Sequence, residues 1–441
     1  ARGEIRAIAR RFARYRTATI QGARSEKSPG GEGAGLKAVS LLVQKYGGTS
    51  VGSIERIKHV AAKVAAAKRA GHRLVVVVSA MAGETNRLIG LAQQISPIPD
   101  EREKDVLLAS GEQVSVALLS LAIKDLGLSA RSYLGHQVRI ATDKAYGKAR
   151  ILSIDSKRIV QALAVGEVVV VAGFQGVDED DNITTLGRGG SDTSAVALAA
   201  FLNADACEIF TDVEGVFTTD PRICPKAKKL AKVSYDEMIE LASTGAKVLE
   251  IRSVEFAKKF SVPVHVRSTF SDVEGTWLVE EDESMSDVLV SGVACDKNEA
   301  KITLLRVPDK PGLAAQIFGP IADAHIVVDM IIQNASEDGT TDMTFTVPNA
   351  DHQKALAIVE KALPGVQAKG IKVDTDIAKV SVVGVGMRTH AGVAATMFQV
   401  LAREGINIQM ISTSEIKISV VIAAAHADQA VRALHDAFIG N

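Results

Sequence analysis

The stretch KYGGTSVGS, residues 45–53, lies between a predicted strand, Val39–Gln44, and a predicted amphipathic helix, Ile54–Arg69. Two glycines at such a junction let backbone amides approach an anion without an intervening Cβ, and Lys45 adds a positive charge. The segment lacks the G-x-x-x-x-G-K-S/T spacing of a Walker loop. It therefore predicts either a phosphate-binding loop of another kind or a tight strand-to-helix turn.

Strands and helices continue to alternate after this segment. Further strands are predicted at Leu74–Ser79, Val168–Ala172, Glu208–Thr211 and Val264–Arg267, and further helices at Glu84–Ile95, Asp105–Leu126, Asp192–Leu202, Asp236–Leu241 and Val254–Phe260. This alternation predicts an α/β catalytic domain over residues 39–270, with a parallel-rich sheet sandwiched by helices. Ligands of such sheets bind at the carboxyl ends of the strands.

An internal repeat follows at a fixed offset of 80 residues, so that Gly312, for example, recurs as Gly392. Each copy has the pattern of a ferredoxin-like βαββαβ module. We place the modules at residues 298–374 and 375–441, after an acidic linker at 271–297. Two copies are too few for a solenoid, so we expect two modules side by side with ligand pockets where their equivalent edges meet.

Composition excludes several classes of partner. The chain of 441 residues carries 51 basic and 52 acidic side chains, and its net charge of −1 gives no reason to expect nucleic acid or an anionic membrane surface. No apolar run reaches the ~18 residues of a membrane span. Cys207, Cys224 and Cys295 lack metal-ligand spacing and suit a reducing cytoplasm. We therefore expect a cytoplasmic globular protein of several domains.

Residues 1–38 differ from the rest, with an arginine-rich start followed by a stretch rich in Ser, Pro and Gly. Such a segment is typical of an organelle transit peptide, of a disordered extension or of translated upstream sequence. We predict a tail outside the folded domains.

Two motifs could bind a small zwitterion. In TTLGRGGSD three glycines surround Arg188, whose planar guanidinium fits a carboxylate with two hydrogen bonds. Asp192, at the predicted start of a helix, either orients Lys45 or a metal-bound phosphate, or is a plain N-cap. In SGEQ the charged Glu112 lies in an apolar helix, so it needs a positive partner, either a substrate ammonium or a nearby Lys or Arg.

Two further segments could contact a nucleotide. TDVEGVFTTDPR, residues 211–222, follows a predicted strand. It is typical of either a nucleotide loop, with Phe217 against the adenine and Arg222 near the phosphates, or a surface hairpin. Lys247, in TGAKVLE, lies in a glycine-containing turn from which its ammonium could reach a phosphate.

Taken together and in this order, KYGGTSVGS, VVVVSAMAGETNRL, SGEQ, GFQGV, TTLGRGGSD and TDVEGVFTTDPR resemble the aspartate kinases of the amino-acid kinase family. The resemblance runs from about Leu42 to Phe438, and the repeat is similar to the paired ACT regulatory domains of the lysine- and threonine-inhibited bacterial enzymes. It implies that Lys45 and Asp192 are catalytic. It implies aspartate contacts at Ser79, Thr85, Glu112, Arg188, Gly189, Gly190 and Ser191, and ATP contacts at Lys45, Tyr46, Gly47, Gly48, Ser191, Thr211, Asp212, Phe217, Arg222 and Lys247.

The resemblance also implies a reaction and its regulation. ATP, with Mg²⁺ held through its phosphates rather than by protein ligands, would phosphorylate the side-chain carboxylate of L-aspartate, the first step towards lysine, threonine, methionine and diaminopimelate. Lysine, threonine or both would inhibit by binding the ACT modules. The implied effector contacts are Gly312, Ala314, Ile326, Asp329, Gln333, Ala394, Asn407, Ile408 and Glu415. At least a homodimer through the ACT domains is expected, and relatives of this type also form a separate ACT-only subunit, which would give a heterotetramer.

Two other functions remain open. A kinase for glutamate or N-acetylglutamate would use similar phosphate loops, but an acetylated amine would leave Glu112 unpaired. An amino-acid sensor with a dead kinase domain is disfavoured because Lys45, Arg188 and Asp192 are intact. For aspartate no general base is required, since a carboxylate with a pKa near ~4 is ionised at pH 7. Catalysis would then consist of positioning and charge neutralisation.

Overall fold

The fold is that of a computed structural model, which describes residues 40–440 apart from residues 247 and 335–338. These residues form two compact units, which divide in the sequence between Cys207 and Glu208. The predicted tail at residues 1–38 lies outside the described residues.

The first unit is built of alternating strands and helices. Its strands are β1 (Leu41–Tyr46), β2 (Arg73–Val78), β3 (Ala130–Tyr133), β4 (Ile140–Thr142), β5 (Ile151–Ile154), β6 (Val168–Ala172), β7 (Gln175–Val177) and β8 (Ile183–Thr185). Its helices are α1 (Ile54–Arg69), α2 (Glu84–Ile95), α3 (Glu101–Asp125), α4 (Lys157–Ala164) and α5 (Gly190–Leu202).

The main sheet of this unit is parallel. β1 pairs with β2, β2 with β6 and β6 with β3, all in parallel, and residues 74–78 of β2 are completely buried. A run of branched apolar residues buried on both faces is typical of a parallel strand covered by helices. A smaller sheet has the order β5-β4-β7-β8.

Helix α1 shows why the helices of this unit form where they do. Ser53 is its N-cap and accepts a hydrogen bond from the Arg56 amide, 3.3 Å away. Its buried residues Ile57, Val60, Ala61, Val64 and Ala65 follow the 3.6-residue period of an apolar helix face.

Helix α3 is the one helix among the described residues that is long and apolar enough to cross a membrane by length and composition. Half of its most apolar stretch is buried, and it packs on β3, β6 and β8. These contacts are those of a core helix.

The second unit begins within strand β9 (Ala206–Thr211). It contains β10 (Lys232–Ser234), α6 (Tyr235–Ser243), α7 (Ile251–Phe260), β11 (Val264–Ser268), β12 (Thr276–Val279) and the short helix α8 (Glu283–Ser286). β12 pairs antiparallel with β11 and parallel with β10.

The repeat forms two modules, each with a four-stranded antiparallel sheet. The elements of module 1 are β14 (Glu299–Pro308), α9 (Leu313–Asp323), β15 (Ile331–Gln333), β16 (Thr340–Pro348), α10 (His352–Val366) and β17 (Gly370–Asp374). The elements of module 2 are β18 (Ile377–Val383), α11 (Val393–Arg403), β19 (Met410–Thr413), β20 (Lys417–Ala423) and α12 (Ala427–Phe438), with short 3₁₀ helices at Val385–Arg388 and Ala424–His426.

The two modules differ in the origin of one edge strand. Module 1 has the sheet order β15-β16-β14-β17, whereas module 2 has the order β19-β20-β18-β13. Its edge strand β13 (Gly292–Asp296) lies before module 1 in sequence, within the range predicted as a linker, and pairs antiparallel with β18. Module 1 is therefore inserted into the sequence of module 2.

Candidate active site

Lys45 of the glycine-rich loop forms an ion pair inside the first unit. Its Nζ lies 2.6 Å from a carboxylate oxygen of Asp192 in the first turn of α5. The side chains are only 12% and 11% exposed. A carboxylate at this distance restricts the lysine to one orientation, so that its positive charge stays at the end of β1.

The start of α5 differs from the sequence prediction. The helix begins at Gly190 rather than at Asp192, and its N-cap is Gly189 with a φ of 67°. Glycine is the residue that takes this left-handed conformation without a steric cost. The plain N-cap interpretation of Asp192 is therefore wrong, since its side chain faces Lys45 instead.

Arg188 lies in the loop between β8 and α5. It is exposed, and it forms no ion pair with any residue that the structure describes. The loop itself is well held, because the amide of the buried Leu186 donates a 2.8 Å hydrogen bond to the Phe174 carbonyl. A fixed loop with an unpaired guanidinium at its tip suits the binding of a carboxylate.

Glu112 on α3 is a buried carboxylate with unused hydrogen-bonding capacity. One of its oxygens accepts the Ala80 amide at 2.9 Å, and the other has no partner in the described part of the chain. Burial raises the pKa of Glu112 to about 7, although the Ala80 hydrogen bond acts in the opposite direction. The predicted alternative of a neighbouring Lys or Arg is not found among the described residues, which leaves room for a cationic ligand.

Two glycines bring α3 and the loop after β1 against Ala80. A Cβ on Gly111 would lie 2.9 Å from the Ala80 Cβ, and a Cβ on Gly48 would lie 2.8 Å from the Ala80 carbonyl oxygen. Larger residues would push these segments apart. The Glu112 carboxylate and the Lys45 loop thus meet at the carboxyl end of β2.

Other predicted contacts lie around the same end of the sheet. Ser79 follows β2 and donates its amide to the Tyr46 carbonyl at 3.1 Å. The Tyr46 side chain is completely buried, and its hydroxyl donates a 3.4 Å hydrogen bond to the Gln44 side chain, so that the side chain is not available to a nucleotide. Thr85 is half-buried in the first turn of α2, and Ser191 is buried in the first turn of α5.

Asp105, which connects α3 to the strand before the Arg188 loop, was not predicted from the sequence. Its buried carboxylate accepts hydrogen bonds from the Gly147 amide, the Thr185 amide and the Thr185 hydroxyl. An aspartate near the start of a helix is common, because it favours the helix dipole. The sequence held no signal that this one is buried.

The predicted nucleotide segment, residues 211–222, lies in the second unit. The Thr211 hydroxyl lies 3.1 Å from a carboxylate oxygen of Asp212, and Phe217 pairs with the backbone of Lys229 across an isolated bridge. The guanidinium of the exposed Arg222 donates three hydrogen bonds to the Asp220 carboxylate, of 3.0, 3.2 and 2.7 Å. Lys247 lies outside the described residues.

Three of the predicted effector residues of module 1 share a pocket. It has a volume of about 460 Å³ and is lined by Asp309, Lys310, Pro311, Gly312, Leu313, Ala314 and Gln333. The Gln333 amide group donates to Asp309 at 3.4 Å. Asp329 instead pairs with Lys379, and Ile326 is buried in the module core.

The predicted effector residues of module 2 lie on the equivalent elements. Ala394 and Ile408 pack against the module core, and Asn407 is exposed. Glu415 lies 3.7 Å from the Arg388 guanidinium.

Comparison with known proteins identifies this combination of domains. Residues 40–268 match the model of the amino acid kinase family, and residues 301–363 and 380–438 match models of the ACT domain. The aspartokinase of Pseudomonas aeruginosa is 58% identical over 402 residues, which cover 91% of this chain and 98% of that protein. The chain belongs to the aspartate kinases of the amino acid kinase family. The aspartate kinase of Pseudomonas putida is 57% identical over 401 residues, with the same coverage.

Solved aspartate kinase structures agree with this family assignment. Aspartokinase III of E. coli in complex with aspartate and ADP matches with a TM-score of 0.77 at 26% identity, over 90% of this chain and 99% of that one. Its complex with lysine and aspartate matches with a TM-score of 0.72. The predicted fold, an amino-acid kinase domain followed by two ACT modules, is confirmed, as is the predicted enzyme class.

Proposed function

We propose that this aspartate kinase transfers the γ-phosphoryl group of ATP to the side-chain carboxylate of L-aspartate, giving 4-phospho-L-aspartate. This would be the first step towards lysine, threonine, methionine and diaminopimelate. The observation that carries the proposal is the buried Glu112 carboxylate, unpaired on one oxygen, at the same sheet end as the Lys45–Asp192 ion pair. The Glu112 carboxylate binds the substrate ammonium, and the Lys45 ammonium neutralises charge on the phosphoryl group.

The chemistry follows from charge rather than from acid–base catalysis. The attacking carboxylate is ionised at pH 7 because its pKa is near ~4, so the protein has no proton to remove. Its task is to bring two anions together in line. Arg188 binds the α-carboxylate, Glu112 binds the α-ammonium, and Lys45 stabilises the charge that develops on the transferred phosphoryl group.

Mg²⁺ bound to the ATP phosphates supplies further neutralisation of phosphoryl charge. The described residues contain no group of three or more His, Cys, Asp or Glu side chains that could hold a metal ion. We propose that the ion arrives bound to the nucleotide. Thr211, Asp212, Phe217, Arg222 and Lys247 are the residues that we propose for the nucleotide itself.

Glu112 also separates aspartate from N-acetylglutamate, although not from glutamate. N-acetylglutamate has no ammonium to offer, so its binding would leave a buried carboxylate without a partner. Glutamate has the ammonium but is one methylene longer. A catalytically dead sensor would have no use for an ion pair that orients Lys45.

ATP-dependent hydroxamate formation tests this proposal. With hydroxylamine present, an acyl phosphate is trapped as it forms, and the acceptors to compare are L-aspartate, L-glutamate and N-acetyl-L-glutamate. We expect hydroxamate from aspartate at a rate at least tenfold above that from either alternative. Equal or faster reaction with glutamate or N-acetylglutamate would overturn the substrate assignment.

We propose further that lysine, threonine or both inhibit the enzyme by binding the ACT modules. Support comes from the pocket at Gly312, Ala314 and Gln333, and from the lysine complex of E. coli aspartokinase III. Undiminished activity with both amino acids present would contradict regulation of this kind.

The exposed edge strands of the two modules support the proposal that at least two chains associate. Ile331 on β15 and Ile411 on β19 are equivalent in the repeat, lie on edge strands, and are 52% and 45% exposed. Exposed apolar edge strands are suited to pairing with a second copy. We place the enzyme in the cytoplasm, where its free cysteines would stay reduced.

A further inference from the structure

Asp105 has every feature of a structural anchor and touches no proposed substrate group. It is completely buried on α3. One carboxylate oxygen accepts the Thr185 amide at 2.7 Å, and the other accepts the Thr185 hydroxyl at 2.6 Å. The Gly147 amide lies 2.9 and 3.1 Å from the two oxygens.

Burying a carboxylate costs free energy unless its hydrogen bonds are replaced. Here desolvation raises the pKa of Asp105, while the hydrogen bonds from Thr185 and Gly147 lower it in part. Asp105 therefore carries a desolvation cost that an apolar residue of similar size would not. The contribution of the carboxylate therefore lies in the segments that it holds in place.

What it holds is the strand that leads into the Arg188 loop. Thr185 ends β8, and its three backbone and side-chain groups are all bonded, the amide and hydroxyl to Asp105 and the carbonyl to the Ala149 amide at 2.9 Å. Arg188 follows three residues later. A shift of Thr185 would move the start of the loop that carries Arg188.

The same helix carries Glu112, seven residues after Asp105. Seven residues are two helical turns, so both side chains leave the same face of α3, about 10 Å apart along its axis. Glu112 reaches Ala80, and Asp105 reaches Thr185. One rigid helix thus contacts both sides of the proposed aspartate site.

We propose that Asp105 is a positioning residue for aspartate binding, which sets the distance between Arg188 and Glu112 by fixing Thr185 to helix α3. The inference rests on the proposed roles of Arg188 and Glu112. It gives the first turns of α3 a role in binding the α-amino acid group, because a fixed distance between Arg188 and Glu112 suits the constant separation of the α-carboxylate and the α-ammonium.

The test compares two neighbouring threonines. Thr185→Val removes the hydroxyl that bonds Asp105, whereas Thr184→Val removes an equally buried hydroxyl that bonds Thr142 at 2.7 Å. We expect Thr185→Val and Asp105→Asn to raise the KM for aspartate on the order of 10-fold or more, with the KM for ATP unchanged. Thr184→Val should leave both KM values unchanged.

A purely structural role would give a different result. It would lower the unfolding temperature and raise both KM values together, or affect the two threonine variants alike, and either outcome would overturn the proposal. Combination with Arg188→Lys gives a second criterion, because a residue that acts through Arg188 loses its effect once Arg188 is changed. Full additivity of Asp105→Asn and Arg188→Lys would therefore contradict it.

The same cycle separates this inference from the proposed function. If Arg188→Lys alone leaves the KM for aspartate unchanged, the proposed role of Arg188 fails. If Arg188→Lys raises that KM and Asp105→Asn does not, only the positioning role of Asp105 fails.

Discussion

At the scale of single residues, Glu112 is the site residue whose chemistry depends most on its surroundings. Its pKa is raised to about 7 by burial, so it changes charge in the physiological range. The sequence predicted that this glutamate needs a partner, because it interrupts an apolar helix. It could not predict Asp105, whose partners Gly147 and Thr185 are distant in sequence and are brought together by the fold.

The raised pKa of Glu112 predicts a pH-dependent affinity for aspartate. Only the ionised carboxylate attracts the substrate ammonium, and the ionised fraction falls as the pH drops below about 7. We expect the KM for aspartate to rise up to about tenfold per pH unit between pH 7 and pH 5.5, with little change in the KM for ATP. Initial rates at several pH values measure this, and a flat aspartate KM would contradict it.

Glu112→Gln is the matched control, since glutamine has the same shape and does not titrate. The variant should show a high KM for aspartate that no longer depends on pH. It should also be more stable without substrate at pH 8, by up to about 3 kcal/mol, because a native pKa above the unfolded value makes the ionised form costly above pH 7. The gain should shrink as the pH falls towards 4.5, where the native carboxyl is protonated.

At the scale of elements, the sequence predicted the long helices and the buried strands best. The 3.6-residue period of α1 and the valine run of β2 are strong local signals. The short strands β4, β7 and β8 have three residues each, too few to show a period, and none was predicted. β13 could not be assigned to module 2 from sequence, since its pairing with β18 skips all of module 1.

Helix α6 illustrates how one buried side chain can hold two elements. Glu237 caps its own helix through Ser234, and its other carboxylate oxygen accepts hydrogen bonds from the Ser291 hydroxyl and the Val385 amide of module 2. Glu240 on the same helix forms a partly exposed ion pair with Lys417, of 2.7 Å. The two glutamates offer a buried and a partly exposed contact to compare.

We predict that Glu237→Gln destabilises the protein by about 2–3 kcal/mol, because the amide group of glutamine cannot accept the hydrogen bonds that one carboxylate oxygen receives. Glu240→Gln should cost less than about 1 kcal/mol, as partly exposed ion pairs are weak. Unfolding in urea measures both. Equal effects of the two substitutions would show that the buried hydrogen bonds of Glu237 contribute no more to stability than the partly exposed ion pair of Glu240.

At the scale of the whole molecule, two equivalent residues of the repeat form a contact between the two modules. Glu299 and Lys379 are separated by 80 residues and so occupy equivalent positions in the two modules. They form a buried ion pair of 3.3 Å, and Lys379 also pairs with Asp329. Burial raises the pKa of Glu299, and Lys379 opposes that shift. The two copies have thus diverged to opposite charges where they meet.

Removing one partner of this pair should cost more than removing both. Lys379→Met leaves a buried carboxylate without its cation, and we expect a loss of about 3 kcal/mol or more, which grows as the pH rises and Glu299 ionises. Lys379→Met combined with Glu299→Gln should recover most of that loss. Thermal unfolding of the three proteins at pH 5 and pH 8 measures it, and a double variant no more stable than the single one would contradict it.

The most direct test of the account is the turnover number of Lys45→Met in the aspartate hydroxamate assay. The lysine and its ion pair with Asp192 are assigned to the transferred phosphoryl group, so kcat should fall on the order of 1,000-fold while the protein stays folded. Lys45→Met with Asp192→Asn removes the unpaired charge as well, and keeps the test valid if the single variant folds poorly. A kcat near that of the unchanged enzyme in either folded variant would contradict the assignment of this loop to phosphoryl transfer.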